Sequence, residues 1–327
     1  MKLFSIVIPT FKGEDSLPIA LESIVRQNYK NIEVIVSDDN GKGSEAQIKT
    51  EKVVNEFKDK LNIIYLVNEH INGSHARNEG LRVAKGDYIS LLDDDDFYLK
   101  DYVKEAVDAF EDNDIDLVFF DVAIINKEGI NRIIKNNEID ALDLLFYRKE
   151  IGTGSNICFK NKVYKEDGGF DERYLRQQDI EFVVKKLIKY KSIWINKINV
   201  VKYYNNNDNF PNMKKSIETY SLLRKDLFEN GIIDKQTETN LYTHQFHCLL
   251  NDLLIKNADE RDVMLVYNKL KEINSLSFVD RGMIIVYKIS KKTFNSITKL
   301  LLNHKNRTHA LKSKELLEYR AMLENKQ

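Results

Sequence analysis

The sequence predicts an α/β protein. A mostly parallel central sheet flanked by helices occupies residues 1–208, and an all-helical region follows over residues 209–327. Three observations carry this. Short runs rich in β-branched residues alternate with amphipathic segments at the spacing of strand–helix–strand units. Several of these runs end in polar or acidic clusters, at the edge where open α/β sheets bind ligands. From about Phe210 onward the strand-like runs stop and only helical periodicity continues.

Taken in order, Leu3 to Ile8 is a continuous apolar run that reads as a buried parallel strand. Pro9 is expected to stop it, with Thr10, Phe11, Lys12 and Gly13 as the loop at its carboxyl end. A helix follows from about Ser16 to Gln27, with Leu17, Ala20, Leu21, Ile24 and Val25 on one face. Ile32 to Val36 is the second strand and runs into Asp38 and Asp39. A polar helix spans about Ser44 to Lys58, and Asn62 to Val67 is the third strand. Gly73 to Leu81 opens a helix that ends near Lys85 and Gly86, a glycine stop signal. Asp87 to Leu92 is the fourth strand, Tyr98 to Phe110 a helix, and Ile115 to Ile125 a long strand. Asn126 to Gly129 reads as a hairpin turn, and Asp140 to Tyr147 as a short helix. Ile151 to Phe159 is a small-residue loop entering a strand, and Gly168 to Asp171 another loop. Leu175 to Phe182 opens a helix, and Ser192 to Val201 returns as a strand holding the single tryptophan, Trp194.

Composition bounds the function. Of the 327 residues, 43% are hydrophobic and 31% charged, with a net charge of −1, which argues against a bulk nucleic-acid binder. The two cysteines, Cys158 and Cys248, have no metal-ligand spacing and form no disulfide framework, so a reducing cytoplasm is expected. The apolar run at the N-terminus is too short for a signal peptide, and no stretch is long enough to span a membrane.

The most informative stretch is Tyr88 to Phe97, a strand that runs directly into Asp93, Asp94, Asp95 and Asp96. Four adjacent carboxylates repel one another. A single Asp would suffice to cap a following helix, so the cluster points to a divalent cation, Mg²⁺ or Mn²⁺, held with substrate phosphates. Thr10 and Phe11, Asp38 and Asp39, and Asp93 to Asp96 all fall at carboxyl ends of strands. Their convergence implies a nucleotide-like ligand, with Asp39 accepting hydrogen bonds from a base or ribose and Phe11 against the base. Turn chemistry for Asp38 and Asp39, and core packing for Phe11, are the alternatives.

The motifs from Ser5 to Phe11, Ile35 to Asn40, Gly73 to Leu81, Gly86 to Asp96, Gly168 to Glu172 and Gln178-Asp179 together resemble the family 2 glycosyltransferases, which have the GT-A fold. The resemblance covers roughly residues 3–205. It implies an inverting, metal-dependent enzyme that moves a sugar from a UDP-sugar to a hydroxyl of a bacterial surface glycan or lipid-linked oligosaccharide. It further implies that Pro9, Thr10 and Phe11 form the nucleotide pocket, that Asp39, beside Asp38, contacts uracil, and that Arg77 lies near the nucleotide. Asp93 and Asp95 fill the D-x-D signature. Asp95 is then the main ligand of Mn²⁺ or Mg²⁺, Asp93 faces ribose and metal, and Asp94 is ambiguous in register. Asp179 matches the catalytic base. The residue before it is usually Glu in the family and here is Gln178. A nucleotidyltransferase of similar topology is a rival reading, but Thr10 to Asp15 makes a poor Gly-rich, basic loop. A non-catalytic scaffold of a polysaccharide-synthesis complex is the other, and the full set of acidic residues argues against it.

Beyond residue 209, helices are expected at about 212–230, 235–256, 260–273, 278–290, 292–302 and 309–325. The apolar and basic segment 283–307 suits either an anionic membrane surface, at the inner face of the cell membrane, or a core or homo-oligomer contact. His244, His247 and Cys248 read as core or groove residues rather than as a metal site.

Overall fold

β-Branched residues favour a pleated, buried surface, and the first run forms strand β1 (Phe4–Thr10), in which Phe4, Ile6, Val7 and Ile8 are fully buried. In the computed structural model, residues 1–112, 114–126, 129–203, 213–255 and 258–273 are described, with isolated positions between 275 and 287. Helix α1 (Leu17–Val25), β2 (Ile32–Asp38), α2 (Glu45–Asn55), β3 (Asn62–Val67), α3 (Gly73–Val83) and β4 (Tyr88–Leu91) follow in the alternation that the sequence predicts. β1 pairs in parallel with β2 and β4, and β2 with β3. Their carboxyl ends therefore share one edge.

The strand extends through Pro9, contrary to expectation. Pairing with β4 ends at Val7 opposite Leu91, so the proline falls where that flank carries no ladder. Gly86 is not the helix stop either. α3 already ends at Ala84, which is extended, and Gly86 sits where a Cβ would come within 2.7 Å of both the Ser5 nitrogen and the Tyr88 carbonyl oxygen. It is a close-approach glycine whose N–H donates to Ser5 Oγ and Glu33 Oε1.

The second half of the sheet is less regular. Asp96–Tyr98 is a strand, β5, where a helix start is expected, and α4 begins only at Tyr102 (Tyr102–Asp112). β6 (Leu117–Asn126) is followed by β7 (Gly129–Ile134), α5 (Ala141–Leu145), β8 (Cys158–Lys160), α6 (Asn161–Asp167), α7 (Gln178–Lys189) and β9 (Ser192–Tyr203). Among the described residues one nine-stranded sheet runs β3-β2-β1-β4-β8-β6-β9-β5, with β7 on β6. β6 and β9 are parallel, whereas β8, β7 and β5 join antiparallel, so the sheet is mixed. β5 and α6 have no counterpart in the periodicity reading, whereas β7 pairs antiparallel with β6 from Asn126 opposite Gly129, the ends of the expected hairpin turn. β5 is held by its pairing with β9, about a hundred residues away, and local sequence carries no trace of it. The two central residues of the hairpin turn, 127 and 128, lie outside the described residues.

Two compact units divide between β9 and the next helix. The second unit contains α8 (Met213–Glu229), α9 (Lys235–Ile255) and α10 (Glu260–Glu272). Phe246, Leu250, Leu253, Val263, Val266 and Leu270 form its buried cluster. His244 Nε2 lies 3.5 Å from Cys248 Sγ, one helical turn apart. No helix among the described residues is long and apolar enough to cross a membrane. The basic segment 283–307 falls almost wholly outside the described residues, as do the helices expected at 292–302 and 309–325.

α3 lies on β1 and β2 through Gly80, where an added Cβ would meet Val7 Cγ1 at 2.3 Å and Ile35 Cγ2 at 3.6 Å. We expect Gly80→Ala to destabilise the first unit by roughly 1–3 kcal/mol through overpacking. Urea unfolding measures this, and an unchanged midpoint would show that α3 docks less tightly than described.

Candidate active site

The acidic turn after β4 presents four carboxylates in four different surroundings. Asp93 is held by Arg77, whose Nη2 donates to Asp93 Oδ1 at 2.6 Å, and its backbone N–H donates to Ser155 Oγ at 2.9 Å. Asp94 Oδ2 accepts from Thr10 Oγ1 at 2.5 Å, across from the end of β1. Asp95 is exposed. Asp96 is buried inside β5, where its Oδ2 accepts from Thr153 Oγ1 at 2.5 Å and Ser155 Oγ at 2.6 Å. Burial first, then Asp95 and Asp93, push the Asp94 carboxyl up to about 7, while the Thr10 hydrogen bond acts the other way. The same two effects push Asp96 well above the usual carboxylate range. With Asp94 bound to Thr10 and Asp96 turned to Thr153 and Ser155, Asp93 and Asp95 face the open side of the turn.

A cavity of about 400 Å³ opens there, within the size range of small-ligand sites. Pro9, Thr10, Phe11, Asp39, Arg77, Asp93, Asp94 and Asp95 all line it, so eight of the residues picked from sequence converge. Asp38 does not. It is fully buried, with Oδ2 accepting from the Tyr65 hydroxyl at 2.6 Å and Oδ1 from the Asn40 N–H at 2.8 Å, and it shapes the turn that carries Asp39. Burial raises its carboxyl, against the hydrogen bonds of Tyr65 and Asn40. Asp179 lies in the first turn of α7, outside the cavity lining but within electrostatic reach of Arg77, Asp93 and Lys202. Burial lifts its carboxyl above the ordinary range, and the N–H of Ile180, Arg77 and Lys202 oppose that lift.

Arg77 ties these pieces together. From α3 its Nη1 donates to Gln178 Oε1 at 3.0 Å, at the start of α7, while Nη2 holds Asp93. One residue on, Asn78 exchanges two hydrogen bonds with the backbone of Phe170, at 2.7 and 2.8 Å. That fixes the Gly168–Asp171 loop against α3 and sets the entry to α7.

Sequence reading missed His70, Asn72 and Ala76, which also line the cavity. His70 stacks on Phe11 with ring centroids 4.4 Å apart, and its Nδ1 is 2.8 Å from the Asp39 carbonyl oxygen. The available signal was position, since the loop after β3 ends on the same sheet edge. Backbone strain marks the site as well. Lys12, His70 and Gln177 are three of the four non-glycine residues with left-handed backbone among the described residues, and each lies in a loop beside the site. Lys202 was missed too. It sits on β9 directly opposite Asp96 on β5. Burial works against its charge, yet Asp96, Asp93, Asp95 and Asp179 hold the ammonium above the usual lysine range.

Among the described residues no group of three or more His, Cys, Asp or Glu converges to hold a metal ion. The residues present still fit Mg²⁺ or Mn²⁺. Such ions bind through one or two carboxylates and take their other oxygens from substrate and water, and Asp93 and Asp95 both line the cavity, with Asp95 exposed.

Residues 5–232, more than half of the chain, match the family description "Glycosyl transferase family 2". The amylovoran biosynthesis glycosyltransferase AmsB of Erwinia amylovora is 31% identical over 192 residues, which cover 56% of this chain and 63% of that protein. The UDP-Glc:alpha-D-GlcNAc-diphosphoundecaprenol beta-1,3-glucosyltransferase WfaP of Escherichia coli is 35% identical over 112 residues, covering 34% of this chain and 42% of WfaP. The chain thus spans less than two thirds of the length of either relative. Among solved structures, S. aureus TarS in complex with UDP-GlcNAc superposes with a TM-score of 0.65 at 14% identity, over 96% of this chain and 95% of that one. The mannosyltransferase PcManGT of Pyrobaculum calidifontis, in complex with GDP-Man and Mn²⁺, gives 0.55 at 14% identity, over 98% and 86%. These likenesses show the GT-A fold.

Asp94 titrates near 7 in the folded chain against 3.8 for an unperturbed Asp. Between those values the folded state binds the additional proton, so this group makes stability fall as pH rises from about 4 to about 7. Asp94→Asn should flatten that fall by about 1 kcal/mol or more, measured by urea unfolding with a chelator present. A slope equal to that of wild type would mean Asp94 is ionised throughout.

Proposed function

The chain belongs to glycosyl transferase family 2, and from that premise we propose that it transfers a sugar from a UDP-sugar to a hydroxyl of a bacterial surface glycan or lipid-linked oligosaccharide, with inversion. The observation that carries this reading is the meeting of Phe11, Asp39, Asp93 and Asp95 around one cavity at the carboxyl edge of the sheet. That lining suits a base, a ribose and a metal-bound diphosphate in succession.

Phe11 and His70 offer ring faces for the uracil, and the Asp39 carboxylate accepts from its N–H. Asp93 and Asp95 would hold the divalent ion, which when bound neutralises the diphosphate as the glycosidic bond breaks. Arg77 keeps Asp93 in position through their 2.6 Å contact. Asp179 takes the proton from the acceptor hydroxyl as that oxygen attacks the anomeric carbon from the face opposite the leaving group. Its elevated carboxyl suits this work, because a base acts best with a pKa near the working pH. Gln178 accepts a hydrogen bond from Arg77 without adding a second negative charge beside the base.

UDP release from a panel of UDP-sugars, with Mn²⁺ or Mg²⁺, tests the reading. One donor should be hydrolysed slowly, with turnover lost on chelation and in Asp95→Asn. Asp179→Asn should lower kcat with acceptor by about 10²–10⁴-fold while UDP affinity is kept. A wild-type protein that neither binds UDP nor turns over any UDP-sugar would overturn the UDP assignment.

A further inference from the structure

Phe11 and His70 both line the cavity, and they cover each other. Their ring centroids are 4.4 Å apart, with 11° between the planes. Stacked rings sit about 4.5 Å apart or more, so a third ring between these two needs roughly twice the present separation. The Lys12 ammonium, 5.1 Å from the same Phe11 centroid, takes up more of that ring. The aromatic face that a base would use is therefore already in use.

The imidazole holds the polar half of the subsite as well. Its Nδ1 lies 2.8 Å from the Asp39 carbonyl oxygen, which only accepts, so Nδ1 carries the proton and donates. The same nitrogen is 3.3 Å from Asp39 Oδ2. A nucleobase asks for the same two partners, an aromatic face and an acceptor for its ring N–H, and His70 supplies both demands from within the chain. Its side chain is 53% exposed, so rotation about its own bonds carries the ring out into solvent. The backbone stays in place meanwhile, because the Ile71 N–H donates to Asp39 Oδ1 at 3.1 Å.

We propose that His70 is a built-in stand-in for the nucleobase. Its imidazole fills the base subsite of the unliganded protein and rotates off Phe11 and Asp39 as the base enters. This rests on the nucleotide reading of the cavity and deepens it. Binding becomes a competition, in which the apparent affinity is the intrinsic one reduced by the fraction of molecules whose ring is already out. His70 thereby sets how well a base must stack and donate before it is accepted.

The test is titration calorimetry on the full chain, with uridine and with UDP plus Mn²⁺, for wild type, His70→Ala and His70→Phe. His70→Ala should bind uridine about threefold to thirtyfold more tightly than wild type. His70→Phe keeps a ring for Phe11 but has no N–H for Asp39, and should fall between the two. Uridine affinity that drops or stays the same in His70→Ala would make His70 a fixed platform or a bystander and overturn the proposal. Should His70→Ala fail to fold, the wild-type protein still decides. UDP with Mn²⁺ should raise the reactivity of His70 towards a histidine-acylating reagent, read by peptide mass spectrometry, because the released ring no longer stacks or donates. Wild-type protein that binds UDP yet leaves His70 equally or less reactive defeats this inference alone, whereas wild-type protein that binds neither UDP nor uridine defeats the nucleotide reading beneath it.

Discussion

Asp93 and Arg77 meet at 2.6 Å, and most of the site's geometry depends on that contact. Asp93 opens the turn after β4, Arg77 belongs to α3, and the same guanidinium reaches Gln178 at the start of α7. Three elements separated in sequence are thus registered by one planar, five-donor group. The requirement behind it is electrostatic. Four neighbouring carboxylates at the end of a buried strand are stable only if each is answered. Arg77 answers Asp93, Thr10 answers Asp94, Thr153 with Ser155 answers Asp96, and Asp95 is exposed to solvent. The loop after β1, helix α3, the 153–155 turn and strand β9 all crowd the same few residues for that reason.

Local sequence revealed the half of the site whose signals are local. The β-branched runs of β1 and β2, and the four aspartates themselves, are visible without any partner. So Thr10, Phe11, Asp39 and Asp93 could be named from where strands end. Arg77 and Asp179 came through motif resemblance. Arg77 does meet the acidic turn, and Asp179 lies within electrostatic reach of both. What could not be read is what pairing at a distance creates. Asp96-Phe97-Tyr98 has no strand signature in three residues and is a strand because β9 lies beside it. Lys202 looks like any lysine in an apolar run until the register sets it against Asp96. Asp38 and Asp39 look alike in sequence, yet Tyr65 takes the first into the interior and leaves the second at the cavity.

The left-handed backbone at Lys12, His70 and Gln177 belongs to the same account. None is a glycine, and each precedes or follows an element that delivers a side chain to the cavity. Such positions cost of order 1–3 kcal/mol apiece and persist where neighbouring structure imposes them. The rigid sheet below offsets that cost, and the loops above it hold Phe11, His70 and the entry to α7 in fixed directions.

β9 closes the sheet, and it is made last. About a hundred residues separate Asp96 from Lys202, and at roughly 5–20 residues per second a nascent chain spends several seconds with the acidic turn formed but its partner strand not yet synthesised. Over that interval β6, whose Leu117 to Phe120 are fully buried in the finished protein, has an unoccupied flank, and β5 has no ladder at all. The birth order of the chain thus makes this site a late event. Fragments that stop short of residue 203 should carry the aspartates without the architecture that makes them tolerable, and quality control in the cell would meet them as exposed strand edges rather than as a smaller enzyme.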